Sequence, residues 1–368
     1  MTRHLRRATF LALLALAACT RNPTPAVPVP DAGFAALSQR LSEAGGFFPS
    51  DNLVSNETSY QHVLGKMQQL GVKGGVYLGV GPDQSFTYIA QVRPTLAFII
   101  DIRRDNLLHH LLFKSIFQQA RTRVEYLSLL LGRPAPANVD EWRDVTIADI
   151  VKYLDETPAD AQSFQVSADA IRAIVQTYGL PLSDADLTTI RQIHTAFRDR
   201  GLEIQYSYGS RYPTYRQLLL ETDLDGTTCN YLASEESFQF LKELQRRNRV
   251  IPVTGDLGGE HALAAVGREI RARGLNISAF YVSNVEQYLM RSVAFQQFAE
   301  TAAGLPFDDH SVIIRSYFGR WGGHIYNVPG HMSTQLLERF VDFAAEYQAG
   351  GYGTYSDLVT KNVLPLRE

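Results

Sequence analysis

The chain has 368 residues, 45% of them hydrophobic and 20% charged, and its 35 Lys and Arg against 38 Asp and Glu give a formal charge of −3. That balance excludes a wholly disordered chain, a collagen or coiled-coil rod and a multi-pass membrane protein. It also gives no general electrostatic pull towards nucleic acid, and two cysteines are too few for a disulfide scaffold.

Residues 1–18 read as an export signal, with Arg3, Arg6 and Arg7 as a basic start and 8–18 as an apolar run. About eleven apolar residues are too few to cross a hydrocarbon core of roughly 30 Å, but they suit a signal-peptide core. Leu16-Ala17-Ala18-Cys19 resembles the lipobox of bacterial lipoproteins. The resemblance implies cleavage before Cys19, acylation of that cysteine, and anchoring to the periplasmic face of an envelope membrane. The alternative is a secreted chain cut after Ala18, with Cys19 free. Arg6-Arg7 ahead of Phe10-Leu11 also approximates a twin-arginine export signal, one residue off the usual spacing. Residues 19–33 then form a proline-rich tether, which composition keeps extended.

From residue 34 onward the chain reads as one α/β domain. A short buried strand is expected at 76–79, a helix at 84–91 stopped by Arg93-Pro94, a strand at 96–100 and a long helix at 106–126. Strand and helix alternating in this way predict a parallel sheet with crossover helices. Residues from about 132 to 247 read as a mostly helical insertion between the second and third strands. Within it, Ser167 and Ser183 are expected to cap helices at 168–178 and 184–200, part of 140–155 is helical, and a last helix covers 235–247. The alternation then resumes with strands at 249–254, 277–282 and 311–317, helices at 260–273 and 285–303, and an antiparallel return at 322–328.

The most informative stretch runs from Val76 to Asn106. A glycine-containing turn between a buried strand and a helix lets backbone approach a ligand closely, and the helix start offers free N–H groups. Gly79 and Gly81 supply that turn, and Asp101 follows 101 − 81 = 20 positions later, where an acid at a strand end can hold ribose hydroxyls. The alternative is a plain tight turn with Asp101 capping the next helix.

This arrangement resembles the S-adenosylmethionine (SAM)-dependent methyltransferases of the Rossmann-like class, and the whole chain also resembles a group of uncharacterised bacterial proteins with that fold. The resemblance implies a doubly wound, mostly parallel sheet, with Gly79 and Gly81 in the first glycine-rich motif, Asp101 on the ribose and Asp256 near the adenine. It places Asn284, Glu286 and Tyr288 towards the methyl acceptor. The polar segment 51–60 would cross the cofactor pocket, with Asn56, Glu57 and Tyr60 as candidate ligands. Equally, Ser55 or Asn56 would cap a helix running through Gln69. The chain departs from the family pattern at Tyr77, where an acid is usual, at Asp83, where a third glycine is usual, and after Asn284, where prolines are absent. Two functions follow: a small polar or nucleoside-like ligand with SAM-dependent methyl transfer, or a non-catalytic interaction scaffold on the same fold.

Other signals carry less. Asp223-Leu224-Asp225-Gly226 places its glycine too early for an EF-hand. His109, His110, His324 and His331 lack zinc-site spacing, and HExxH, CxxC, GxSxG and phosphate-loop motifs are absent, so no metal is expected. The aromatic run 206–215 suits either a stacking surface or a packed loop, and 101–106 suits either an anion or local ion pairs. Nothing in the sequence names a protein partner.

Overall fold

The structure is a computed structural model that describes residues 33–206, 211–319 and 323–367. The expected leader, Cys19 and all but the last residue of the tether lie outside these residues. Five apolar, largely β-branched or aromatic runs form parallel strands buried on both faces, as a sheet covered by helices requires. They are β1 (Val76–Gly79), β2 (Leu96–Asp101), β3 (Val250–Thr254), β4 (Ile277–Ser283) and β5 (Phe307–Tyr317), joined by β6 (Thr334–Arg339). The order is β3-β2-β1-β4-β5-β6, and only β6 runs antiparallel to its neighbour. The chain is therefore a mixed α/β protein with a mostly parallel six-stranded sheet.

The antiparallel return is at 334–339, not at the expected 322–328. The Gly323-to-Pro329 stretch is turn and coil and leaves Ile325 exposed, whereas Leu336 and Leu337 are buried in β6. Two expected helices are each broken in two. The first divides into Arg104–Gln119 and Arg123–Leu130, because Ala120 turns extended and Thr122 caps the second piece through the Glu125 N–H. The second divides into Val285–Leu289 and Ala294–Ala303, with Ser292 Oγ accepting from the Ala294 N–H at the break. The helix expected at 168–178 instead covers Ala161–Gln176, capped by Asp160, and Ser167 is buried within it. The Ser183 cap is present as a full capping box on Asp184–Arg200. These two insertion helices pack on Arg104–Gln119 and so thicken one face of the sheet. Among the described residues, no helix is long and apolar enough to cross a membrane.

One ion triad lies inside this core. Arg315 on β5 donates from Nε to Glu286 Oε2 at 2.5 Å and from Nη1 to Glu338 Oε2 at 2.5 Å, and all three side chains are at most 2% exposed. Tyr352 donates to the second oxygen of Glu338 at 2.6 Å. Removing one partner from a buried ion group strands the others without solvent. Arg315→Met should therefore cost about 3–5 kcal/mol in urea unfolding; a loss below about 1 kcal/mol would show that the carboxylates are not held as buried charges.

Candidate functional site

Chain leaving β1 turns towards β2, and chain leaving β4 turns the opposite way towards β5. Adjacent parallel strands whose connections diverge leave a crevice at their carboxyl ends. Here that crevice is a cavity of about 350 Å³. Gly81, Asp101, Asp256, Asn56, Glu57, Asn284 and Tyr288 all line it.

Gly81 adopts φ +76°, and a Cβ added there would meet no atom within 4 Å. The position thus needs glycine for its backbone angle, while its surroundings stay open to a ligand. Its carbonyl is fixed by His110 Nε2 at 2.9 Å. Burial pushes the His110 pKa down to about 4, so the neutral ring donates its Nε2–H to that carbonyl. Gly79 has a different role from the one expected. It does not line the cavity, and a Cβ on it would lie 2.5 Å from the Tyr77 hydroxyl. Gly79 is small so that Tyr77, standing where an acid is usual, can fold across it and donate to Ser85 Oγ at 3.2 Å.

Asp101 ends β2 beside the cavity, but Arg103 occupies much of it. The Arg103 backbone N–H and Nε donate to Oδ1 at 2.9 and 3.1 Å, and Nη2 donates to Oδ2 at 3.0 Å. Arg103 Nη1 also donates to the Ser50 and Asp51 carbonyls, which pins the 50–51 segment over the strand end. Asp256 retains more freedom: Oδ1 accepts from the Gly258 N–H at 2.8 Å, and Oδ2 has no hydrogen-bond partner among the described residues. Among the described residues the amides of Asn56 and Asn284 also make no side-chain hydrogen bond, so both can recognise a ligand.

Glu57 is 1% exposed and accepts from four neutral donors. Gln84 and Tyr281 each reach Oε2 at 2.8 Å, Gln335 reaches it at 2.5 Å, and Ser283 donates to Oε1 at 2.5 Å. Ser283 holds φ +52°, a conformation that side chains other than glycine adopt at a cost of about 1–3 kcal/mol. Its bond to Glu57 is one reason that conformation persists.

Besides Gly79, two expected site residues lie elsewhere. Tyr60 is buried beneath the cavity and donates to the Leu218 carbonyl at 2.8 Å. Glu286 faces inward into the Arg315 ion group, so it cannot meet an acceptor. Nor do Ser55 and Asn56 cap a long helix. The segment makes a short 3-10 turn at Thr58–Gln61 and a helix at Leu64–Gln69, while the Ser55 hydroxyl bonds Gln84. Phe47, Phe48, Tyr206 and Arg103 are further lining residues. Phe48 packs edge-on against Tyr288, with ring centroids 5.3 Å apart. The adjacent Phe47-Phe48 pair between Gly46 and Pro49 was the sequence signal for that aromatic rim. The ionisable acids and bases on the lining are Glu57, Asp101 and Asp256 against Arg103, a formal charge of 1 − 3 = −2.

Behind the wall lies a second polar centre. Asp83 starts the helix Gln84–Val92 but points away from the cavity, and its Oδ2 accepts from the Tyr215 and Tyr231 hydroxyls, both at 3.0 Å. Burial raises its pKa to about 6, against the pull of those two hydroxyls. It therefore leaves the cavity free of a competing carboxylate at the helix start.

Fold and site together define an α/β protein with a cavity of small-molecule size at the carboxyl ends of a mostly parallel sheet. The chain belongs to the family described as a domain of unknown function (DUF7790), whose family model matches residues 52–350. No curated protein matches the sequence.

The Asp83 environment gives a pH dependence. Between an ordinary carboxyl pKa near 3.8 and about 6, the folded protein keeps a proton that the unfolded chain has lost, so this group lowers stability as pH rises through that window. The accumulated effect is about 3 kcal/mol above pH 6. Asp83→Asn should therefore gain on the natural protein by about that amount between pH 4 and pH 7 in urea unfolding. A difference independent of pH would show that Asp83 is not a buried, proton-holding carboxyl.

Proposed function

We propose that this chain is an envelope-anchored lipoprotein whose Rossmann-like, methyltransferase-type domain binds a small cationic, nucleoside-like ligand, with SAM as the leading candidate. Support for the fold comes from the strand order, which matches the doubly wound pattern up to its antiparallel last strand. The observation that carries the ligand class is the lining charge. Three carboxylates against one arginine, whose guanidinium is already engaged, disfavour phosphates and favour a sulfonium or amine. Phe48, Tyr206 and Tyr288 on the lining add aromatic surface that suits a flat base.

On this reading Gly81 lets the ligand approach the backbone, Asp256 and Asn56 take its polar edges, and Asn284 and Tyr288 meet the acceptor. Asp101 offers ribose only the lone-pair position that Arg103 leaves open. Methyl transfer would rest on alignment of donor and acceptor, which needs no strong acid or base. A second reading, binding without catalysis, is favoured by one observation: Glu286, the acid assigned to the acceptor side, is locked in the core.

A ligand that binds only the folded state stabilises it by about 2.7 kcal/mol at a hundredfold excess over Kd. SAM and its demethylated product should raise the melting temperature by several degrees, and ADP and NAD should not. Asp256→Ala and Asn284→Ala should each abolish the rise. A shift with nucleotides and none with SAM would defeat the reading, and absence of methyl release from bound SAM would select binding alone. The anchor has a separate test: Cys19→Ala should move the protein from the membrane to the soluble fraction, and unchanged fractionation would count against lipidation.

A further inference from the structure

Outside the cavity the fold gathers His62, Glu221 and His331, residues separated in sequence by 221 − 62 = 159 and 331 − 221 = 110 positions, with one ligand atom of each within 4.8 Å of the others. We propose that this triad binds one divalent transition ion of the zinc class. The ion would tie the segment carrying Asn56 and Glu57 to the helical insertion and to the approach to β6.

Each donor is placed for that role. His62 directly follows the 3-10 turn Thr58–Gln61 and is 6% exposed, yet neither ring nitrogen has a hydrogen-bond partner among the described residues. Its ring meets that of His331 edge-on, with centroids 4.6 Å apart. His331 Nδ1 is 2.9 Å from Thr58 Oγ1, which leaves Nε2 for a metal. An imidazole oriented through its second nitrogen is the usual arrangement around bound metals. Glu221 is partly buried; its Oε1 accepts from the Thr222 N–H at 3.0 Å and its Oε2 has no hydrogen-bond partner among the described residues. Arg367 faces this corner from the surface, 4.0 Å from Asp225.

Neighbouring groups are already satisfied. Asp223 accepts from the Asp225 and Thr227 N–H groups through Oδ1 and from the Cys229 thiol through Oδ2 at 3.4 Å. That leaves two imidazoles, one carboxylate and a position for water, a donor set that zinc takes readily. Calcium and magnesium prefer all-oxygen shells. Zinc–nitrogen distances near 2.0–2.1 Å place tetrahedral ligand atoms about 3.4 Å apart, so the side chains need to close by only about 1.5 Å.

The test uses the full chain stripped with a chelator and titrated with Zn²⁺, Mg²⁺ or Ca²⁺ against a chromogenic competitor. One equivalent of Zn²⁺ should bind, with a rise in melting temperature and no response to the other two ions. Glu221→Gln and His331→Gln should each weaken zinc about 100-fold, and Thr58→Val, which touches only the orienting bond, about 10-fold. Asp256→Ala in the cavity should leave zinc binding unchanged, which separates this site from the ligand reading. Zinc held no more tightly by the natural chain than by Glu221→Gln or His331→Gln, or zinc lost in Asp256→Ala, would overturn the proposal.

Discussion

A buried carboxylate without a cation must be satisfied by aimed dipoles, and Glu57 imposes that constraint on the whole centre of the molecule. Its donors come from the helix after β1, from both ends of the β4 exit, and from β6. None of these can shift without leaving charge-bearing oxygens unpaired in the interior. The four bonds therefore hold the cavity wall at fixed spacing, and they recruit Gln84 further into a chain through Tyr88 to the Tyr60 carbonyl. The site is rigid on this side because its polar network is nearly closed.

The opposite side is built differently. Asp101 and Arg103 neutralise one another, and the arginine spends its remaining donors on backbone carbonyls of the crossing segment. That pair acts as a clasp for the chain that covers the strand ends. Residues 43–46 reinforce it through backbone bonds from Glu43 to Thr254 and from Gly46 to Ile102. The groups without a partner among the described residues, Asn56, Asn284 and one oxygen of Asp256, are left between a nearly closed network and a clasp. Recognition chemistry is concentrated where the protein has not already used its donors and acceptors.

Much of the sheet was legible because its strands are short apolar runs bounded by Gly, Pro or Asp, and because Asp101 follows Gly81 at the interval a strand-helix-strand unit requires. A GxG pattern does not reveal which glycine serves the turn and which makes room for a neighbour, the latter being the place of Gly79 beside Tyr77. Side-chain direction beyond the strand ends is a tertiary property. Tyr60 lies three residues from Glu57 and Glu286 next to Val285, both on the lining, yet Tyr60 and Glu286 are buried in the core. Leucine and phenylalanine spacing continues through Ala120, so the helix break there left no periodic trace. β6 mixes polar and apolar residues because Gln335 and Glu338 serve the buried Glu57 and Arg315 networks, and His62, Glu221 and His331 are joined only by folding.

The sheet also has a kinetic side. β1 pairs with β4 through Val76 and Ile277, which are 277 − 76 = 201 residues apart. Closing so long a loop comes late and slowly, since its entropy is lost before the pairing rewards it. A nascent or truncated chain ending before Ile277 carries the glycine turn and Asp101 but has no facing wall. Until synthesis passes β4, the apolar edge of β1 stays open to other strands.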